Sequence, residues 1–392
     1  MKFKVYAMVM TLGLVGLLAW RATADNPASF GDPFPGLKTE LLNQFFDGKD
    51  EFEQIETAAD GLGPVFNNNS CAICHASPAV GGDSDIVETR FGTVTNNHFD
   101  PLAQLGGSLI QSQGIGPTGS CNFVGETVPP EATIVALRKT TPLFGLGLVD
   151  NVPDVVFRQI AEIQRRFLPG IAGKTNMVTD ATTGRTAVGK FGWKAQVPSL
   201  RHFSGDAYLN EMGITSPFFP TENCPQGDCS LVTACDPLTD PEDDGSNIQA
   251  FTDFMTLLAA PPRGPITPEV RKGERVFLRI GCAACHLPTL VTGYSRVAAL
   301  NHVTFHPFSD FLVHDMGSLG DGIEQGHATG RDMRTAPLWG IRVRDHFLHD
   351  GSATTIEDAI LAHDGQGQEA RNRFSALSSE DMQRLIAFLN SL

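Results

Sequence analysis

Two short segments of this chain carry the same five-position pattern, Cys71-Ala72-Ile73-Cys74-His75 and Cys282-Ala283-Ala284-Cys285-His286. Two thiols three positions apart, followed at once by a histidine, form the attachment pattern of a c-type haem. The thiols are one helical turn apart and reach the two vinyl groups of one porphyrin. The histidine then lies under the iron as proximal ligand. A single match would serve a redox or zinc Cys-x-x-Cys equally well. Two matches, each with its histidine, predict two covalent haem c groups, one on Cys71, Cys74 and His75 and one on Cys282, Cys285 and His286.

What such a haem does depends on the opposite face of its iron. Two strong side-chain ligands make an electron carrier, and an open position makes a reactive centre. In the second half, Thr354-Thr355-Ile356-Glu357-Asp358 reads as a helix start, a threonine cap followed by acids in the first turn. Ile356, Ile360 and His363 then fall on one face. His363 is therefore the expected second metal ligand opposite His286, with His349, Met316, His314 and Met333 as rivals. In the first half no candidate stands out. His98, His202 and Met212 are each available, and the asymmetry points to an open site at the His75 haem.

The elements that position these residues read as mainly α and loop-rich. Ile248, Phe251, Phe254, Met255 and Leu258 recur at spacings of three and four before Pro261-Pro262. Met382, Leu385, Ile386 and Leu389 do the same at the C-terminus, after a Ser378…Asp381 cap. The halves repeat loosely. A glycine-phenylalanine stretch precedes each haem pattern, Gly61 to Phe66 and Gly273 to Phe277. An arginine followed by Pro-Leu-aromatic-Gly comes later in each, at Arg138 to Gly145 and Arg334 to Gly340. The expected architecture is two cytochrome-c-like helical domains, residues 25–263 and 264–392, each with one haem. Loop insertions in the first span Gly106 to Gly125 and Pro220 to Gly245.

The remaining cysteines, Cys121, Cys224, Cys229 and Cys235, suit one or two disulfides, with Cys224–Cys229 the preferred pair among three connectivities. Residues 1–24 read as a signal peptide: Lys2 and Lys4, an apolar run from Val5 to Trp20, and Ala22-Thr23-Ala24 as cleavage site. Export to the periplasm follows, a compartment that permits disulfides, with no membrane span after cleavage. The 392-residue chain has a formal charge of −15, which becomes −18 without Lys2, Lys4 and Arg21. An acidic chain with no basic run excludes a nucleic-acid partner and favours a small basic redox protein as electron donor or acceptor. At 41% hydrophobic the chain is not disordered.

The stretch Arg334-Thr335-Ala336-Pro337-Leu338-Trp339-Gly340, then Phe347-Leu348-His349-Asp350-Gly351, then Thr355 to Ile360 resembles the C-terminal part of bacterial di-haem cytochrome c peroxidases and MauG-like enzymes. Pro142 to Asp150, Phe191 to Gln196 and His314-Asp315-Met316-Gly317 are similar to the branch of di-haem oxidoreductases sometimes called thiol oxidoreductases. The resemblance spans nearly all of the mature chain. In the peroxidases a distal methionine follows the His-Asp-Gly histidine by fourteen residues, and fourteen from His349 is His363. The resemblance thus implies a bis-histidine second haem, whose potential should be lower than that of a His/Met pair. It also implies peroxide or oxygen as substrate. The peroxidases' Phe-Trp-Asp-Gly-Arg element is replaced here by Leu148 to Asp154, so their catalytic glutamate does not carry over. Asp150, Glu211 and Asp206 are the substitutes. By the same resemblance Trp193 and Trp339 are expected to relay electrons between haems. Relatives also bind Ca2+ between domains, although no matching ligand set stands out in this chain. The alternatives to a peroxidase-type enzyme are a non-catalytic di-haem electron carrier and a MauG-like or oxygenase-like enzyme acting on a protein or organic substrate.

Overall fold

The computed structural model describes residues 28–392 apart from Pro237, so the signal-peptide segment lies outside the described residues. The helices are α1 (Thr39–Glu53), α2 (Cys71–Cys74), α3 (Leu146–Asp150), α4 (Asp154–Phe167), α5 (Leu200–Met212), α6 (Val232–Cys235), α7 (Ser246–Leu257), α8 (Pro268–Ile280), α9 (Ile356–Leu361), α10 (Gln368–Ser375) and α11 (Ser379–Leu389). The expected caps are in place. Thr355 Oγ1 accepts the Asp358 N–H at 3.0 Å, and Ser378 Oγ accepts that of Asp381 at 3.2 Å. Among the described residues no helix is long and apolar enough to cross a membrane.

Two helix pairs organise the chain, α1 on α7 and α8 on α11, and each pair meets at a glycine. A Cβ on Gly48 would lie 2.3 Å from the Ala250 carbonyl oxygen, and one on Gly273 would lie 1.9 Å from that of Arg384. Only the absence of a side chain lets the backbones approach this closely. Four residues after each glycine a buried phenylalanine, Phe52 or Phe277, leans toward the histidine of the following Cys-x-x-Cys-His, with ring centres 5.8 Å from His75 and 6.5 Å from His286. The counterpart of Gly273–Phe277 is therefore Gly48–Phe52, and not Gly61–Phe66 as expected from proximity to Cys71. Helix pairing, not distance along the chain, sets the equivalence.

The second repeat holds in detail. Leu143 N–H donates to Gly81 O (2.7 Å) and Leu338 N–H to Pro307 O (2.9 Å). Gly145 and Gly340 both take a left-handed conformation, φ +73° and +75°. Their N–H groups donate to Leu258 O and Leu392 O, just beyond α7 and α11. Both turns need φ > 0, which glycine supplies without steric cost.

The chain is helix-rich, as expected, but it also carries several small sheets, which the expectation of a mainly α fold did not include. The largest has order β2-β1-β3, built from β1 (Val87–Thr95), β2 (His98–Asp100) and β3 (Ile134–Lys139). A further hairpin pairs β4 (Val313–Asp315) with β5 (Asp332–Arg334). One apolar core joins α1, α3, α4, α5 and α7, and the second half lends it Leu290, Leu300, Phe305, Phe311 and Leu312. A second core joins α8, α9, α10 and α11. Disulfides link Cys224 to Cys229, as preferred, and Cys121 to Cys235, while Cys71, Cys74, Cys282 and Cys285 stay free.

Candidate functional site

Of the five candidates for the position opposite His286, only His363 faces it. The ring centres are 6.4 Å apart. A metal–imidazole bond is about 2 Å and the ring centre lies about 1 Å behind the nitrogen, so two imidazoles sharing one metal stand about 6 Å apart. Both tautomers are set for this. His286 Nδ1–H donates to Phe308 O (3.0 Å) and His363 Nδ1–H to Ala359 O (2.8 Å), leaving each Nε2 lone pair free. Burial lowers the His286 pKa to about 4 and also lowers that of His363, so both rings are neutral, as metal ligands must be. The rivals are occupied otherwise. His349 meets Trp193 edge to face, His314 binds Asp310, Met333 pairs with His314 across β4 and β5, and Met316 packs at Gly367.

His75 is built like His286. Its Nδ1–H donates to Gly82 O at 3.0 Å, and burial lowers its pKa to about 4. The orienting carbonyls occupy equivalent places, Gly82 after Gly81 and Phe308 after Pro307. A Cβ on Gly82 would lie 1.8 Å from Ser77 O, so this turn requires glycine. Phe308 instead takes φ +52°, a strained conformation for a bulky residue, held at the carbonyl that orients His286. Among the described residues no second imidazole faces His75. His98 is exposed on β2. His202 Nδ1 accepts the Ala181 N–H at 3.0 Å, so its proton sits on Nε2 and the ring is a donor, not a ligand. Met212 lies against Cys71, sulfur to sulfur 3.9 Å. A tether sulfur marks a porphyrin's rim, so a sulfur touching it is not over the centre.

Beside Cys74 the chain gathers carboxylates around one arginine. Arg90 Nε donates to Glu88 Oε1 at 2.8 Å. Asn67 Nδ2 donates to Glu211 Oε2 (2.9 Å), while Asn68 Nδ2 lies 3.7 Å from Cys74 Sγ. Burial, and next the charge of Glu88, push the Glu211 carboxyl up to about 7. Burial raises Asp206 as well, against the pull of His202 and Arg90. Arg90, His202, Asp206 and Asn210 line a cavity of about 360 Å3. Glu211 is thus poised to exchange protons near neutral pH. Asp150 keeps different company. Its Oδ1 is 4.0 Å from Lys190 Nζ, and burial raises its pKa against that lysine.

The tryptophans lie where the halves meet. Trp193 Nε1–H donates to Lys139 O (2.9 Å), Lys139 N–H donates to His349 O (2.7 Å), and Arg334 N–H donates to Trp193 O (2.8 Å). Trp339 lies between Gly145 and Phe305, its ring centre 5.9 Å from that of Phe305. Sequence reasoning missed Glu88, Arg90 and the two orienting carbonyls. Glu88 and Arg90 were detectable only as an i, i+2 pair on one strand face, and the carbonyls carry no side-chain signal. It also missed a buried pair beside Cys285, His314 Nε2 to Asp310 Oδ2 at 3.1 Å. Burial opposes the His314 cation, but Asp310 outweighs it and holds the ring charged well above its ordinary range.

Residues 120–392 match the model of the family described as "Di-haem oxidoreductase, putative peroxidase". No curated protein matches by sequence. Similar solved structures include Kuenenia stuttgartiensis hydrazine synthase, 14% identical over 96% of this chain and 98% of that one, TM-score 0.43. A MauG-like protein associated with microbial copper homeostasis is 13% identical over 95% of each chain, TM-score 0.40. The diheme peroxidase BthA from Burkholderia thailandensis E264 is 14% identical over 91% of this chain and 86% of that one, TM-score 0.40.

Proposed function

The chain belongs to the di-haem oxidoreductase family, and from that premise we propose that it is an exported peroxidase-type oxidoreductase with two unequal covalent haem c sites. Cys71, Cys74 and His75 hold the reactive one, and Cys282, Cys285, His286 and His363 hold the electron-storing one. The residues fit two such groups: four free half-buried thiols in pairs, and three neutral histidines with Nδ1 committed to carbonyls. The observation that carries the reading is the asymmetry. His286 has His363 across 6.4 Å, whereas among the described residues no imidazole faces His75, and Arg90 and Asp206, whose charges act on Glu211, line a cavity.

When bound, a haem held by Cys71, Cys74 and His75 would supply a redox-active iron, and one held by Cys282, Cys285, His286 and His363 would supply a second electron. Reduction of hydrogen peroxide to two waters takes two electrons and two protons. Glu211 would accept a proton from one oxygen of the peroxide and return it to the other, which would leave as water. Arg90, held by Glu88, offers positive charge to the charge developing on oxygen. His202 presents its Nε2–H, and Asp206, whose carboxyl burial raises, lines the same cavity. Trp339, between the halves, is the electron relay, and a small basic redox protein is the electron donor.

Visible and EPR spectra of oxidised and half-reduced protein, with and without peroxide, test the reading. One high-spin and one low-spin haem, with the high-spin signal altered by peroxide, is the expected result. Two low-spin haems indifferent to peroxide in every redox state would instead make the protein an electron carrier.

A further inference from the structure

Seven acidic residues lie between Pro220 and Gly245, a segment with no lysine, arginine or histidine. Four of them converge. One carboxylate oxygen each of Glu222, Asp236, Asp240 and Glu242 can be chosen so that all four lie within 4.8 Å of one another. Glu222 is 7% exposed, and neither of its carboxylate oxygens has a hydrogen-bond partner. The Oε1 atom of Glu242 is likewise buried and unpartnered. Two of the other oxygens are held in place. Thr215 N–H donates to Glu242 Oε2 (2.8 Å), and Thr215 Oγ1 bonds Glu242 Oε2 and Asp240 Oδ1, the latter at 3.1 Å. Buried acceptors without donors are costly, and buried like charges more so. Three such oxygens aimed into one acidic cluster therefore call for a cation.

We propose that Glu222, Asp236, Asp240 and Glu242 form a binding site for a hard divalent cation of the calcium class. Calcium takes six to eight oxygen ligands at about 2.3–2.6 Å, so its ligand oxygens stand up to about 5 Å apart, as here. Magnesium at about 2.1 Å demands a tighter octahedron and keeps its waters. An all-oxygen donor set with no thiol or imidazole disfavours zinc and copper. The site is separate from both Cys-x-x-Cys-His segments. The Cys121–Cys235 bond anchors the residue before Asp236, and the Cys224–Cys229 bond closes the loop that follows Glu222. The same loop walls the 360 Å3 cavity through Glu222, Asn223 and Cys224. Cation binding thus fixes a wall of that cavity. Without the cation, repulsion from Glu242, Asp240 and Asp236 adds to burial in pushing the Glu222 carboxyl up to about 9.

The test uses the full haem-loaded chain, stripped with EDTA and desalted. Calcium chloride and magnesium chloride are titrated calorimetrically, and melting is followed in EDTA and in calcium. Expected are calcium uptake preferred over magnesium, a higher melting temperature in calcium, and affinity weakened about tenfold or more in Glu222→Gln and Glu242→Gln. Glu222→Gln should also melt above the wild type in EDTA, because the amide avoids the cost of burying and protonating a carboxyl beside Glu242, Asp240 and Asp236, yet gain less than the wild type from calcium. That inversion of sign keeps the test free of simple misfolding. Absence of calcium binding at millimolar concentration would overturn the proposal. So would equal binding by the wild type and both variants, which would place the ion elsewhere, or equal melting in EDTA and calcium.

Discussion

His286 and His363 present their rings to each other across 6.4 Å, each with Nδ1 tied to a main-chain carbonyl, Phe308 O and Ala359 O. The separation leaves room for one metal ion, and the tautomers leave both Nε2 atoms to bind it. Replacing His363 by alanine should convert one of the two haems from low to high spin, read by EPR. His363→Met should keep it low-spin and raise its midpoint potential by on the order of 100 mV. A spectrum unchanged in His363→Ala would remove His363 as ligand.

The titration of Glu211, the proposed proton carrier, should be visible from outside. With its carboxyl near 7, peroxide turnover should rise with pH through about 7, since only the carboxylate accepts a proton. Glu211→Gln should abolish that limb and cost about 10²–10⁴-fold in rate. The stability effect has the opposite slope. The folded chain holds this proton above the unfolded pKa, so the stability tied to it is fully present below the ordinary 4.5 and is lost as pH rises through about 7. Above pH 7 the glutamine variant should therefore unfold at higher denaturant concentration than the wild type.

Gly273 tests the α8–α11 crossing. An alanine Cβ would meet Arg384 O at 1.9 Å, which backbone shift alone can relieve. We expect a loss of about 1–3 kcal/mol in denaturant unfolding, and the equivalent Gly48→Ala, against Ala250 O at 2.3 Å, to destabilise in the same direction. Gly61→Ala, at a position the helix crossings do not involve, should leave both haem spectra intact.

Trp339 packs against Gly145 of one half and Phe305 of the other. Trp339→Phe should slow electron equilibration between the haems after peroxide mixing, seen by stopped-flow spectroscopy, while leaving the resting spectra unchanged. If Trp193→Phe slows the step and Trp339→Phe does not, the relay runs through the Lys139–Trp193–His349 contact instead.

The sequence alone carried the two Cys-x-x-Cys-His segments, the helix starts at Thr355 and Ser378, and His363 as the residue to watch. Each is a local pattern: thiols one turn apart, a hydroxyl before acidic residues, a histidine in phase with two isoleucines. Spacing along one chain segment is enough to specify such features. Tertiary structure decided what depends on segments meeting. It paired Gly48 with Ala250, made Gly82 and Phe308 equivalent though one follows glycine and the other proline, and brought Glu88 and Arg90 to the neighbourhood of Glu211. It also paired Cys121 with Cys235, 114 residues apart, and aimed Glu222 at Glu242. A carboxyl's proton affinity is set by burial and by the charges around it. Neither exists until the chain has folded, so the sequence offered Asp150 and Glu211 alike, and only the fold set Asp150 against Lys190 and Glu211 beside Cys74.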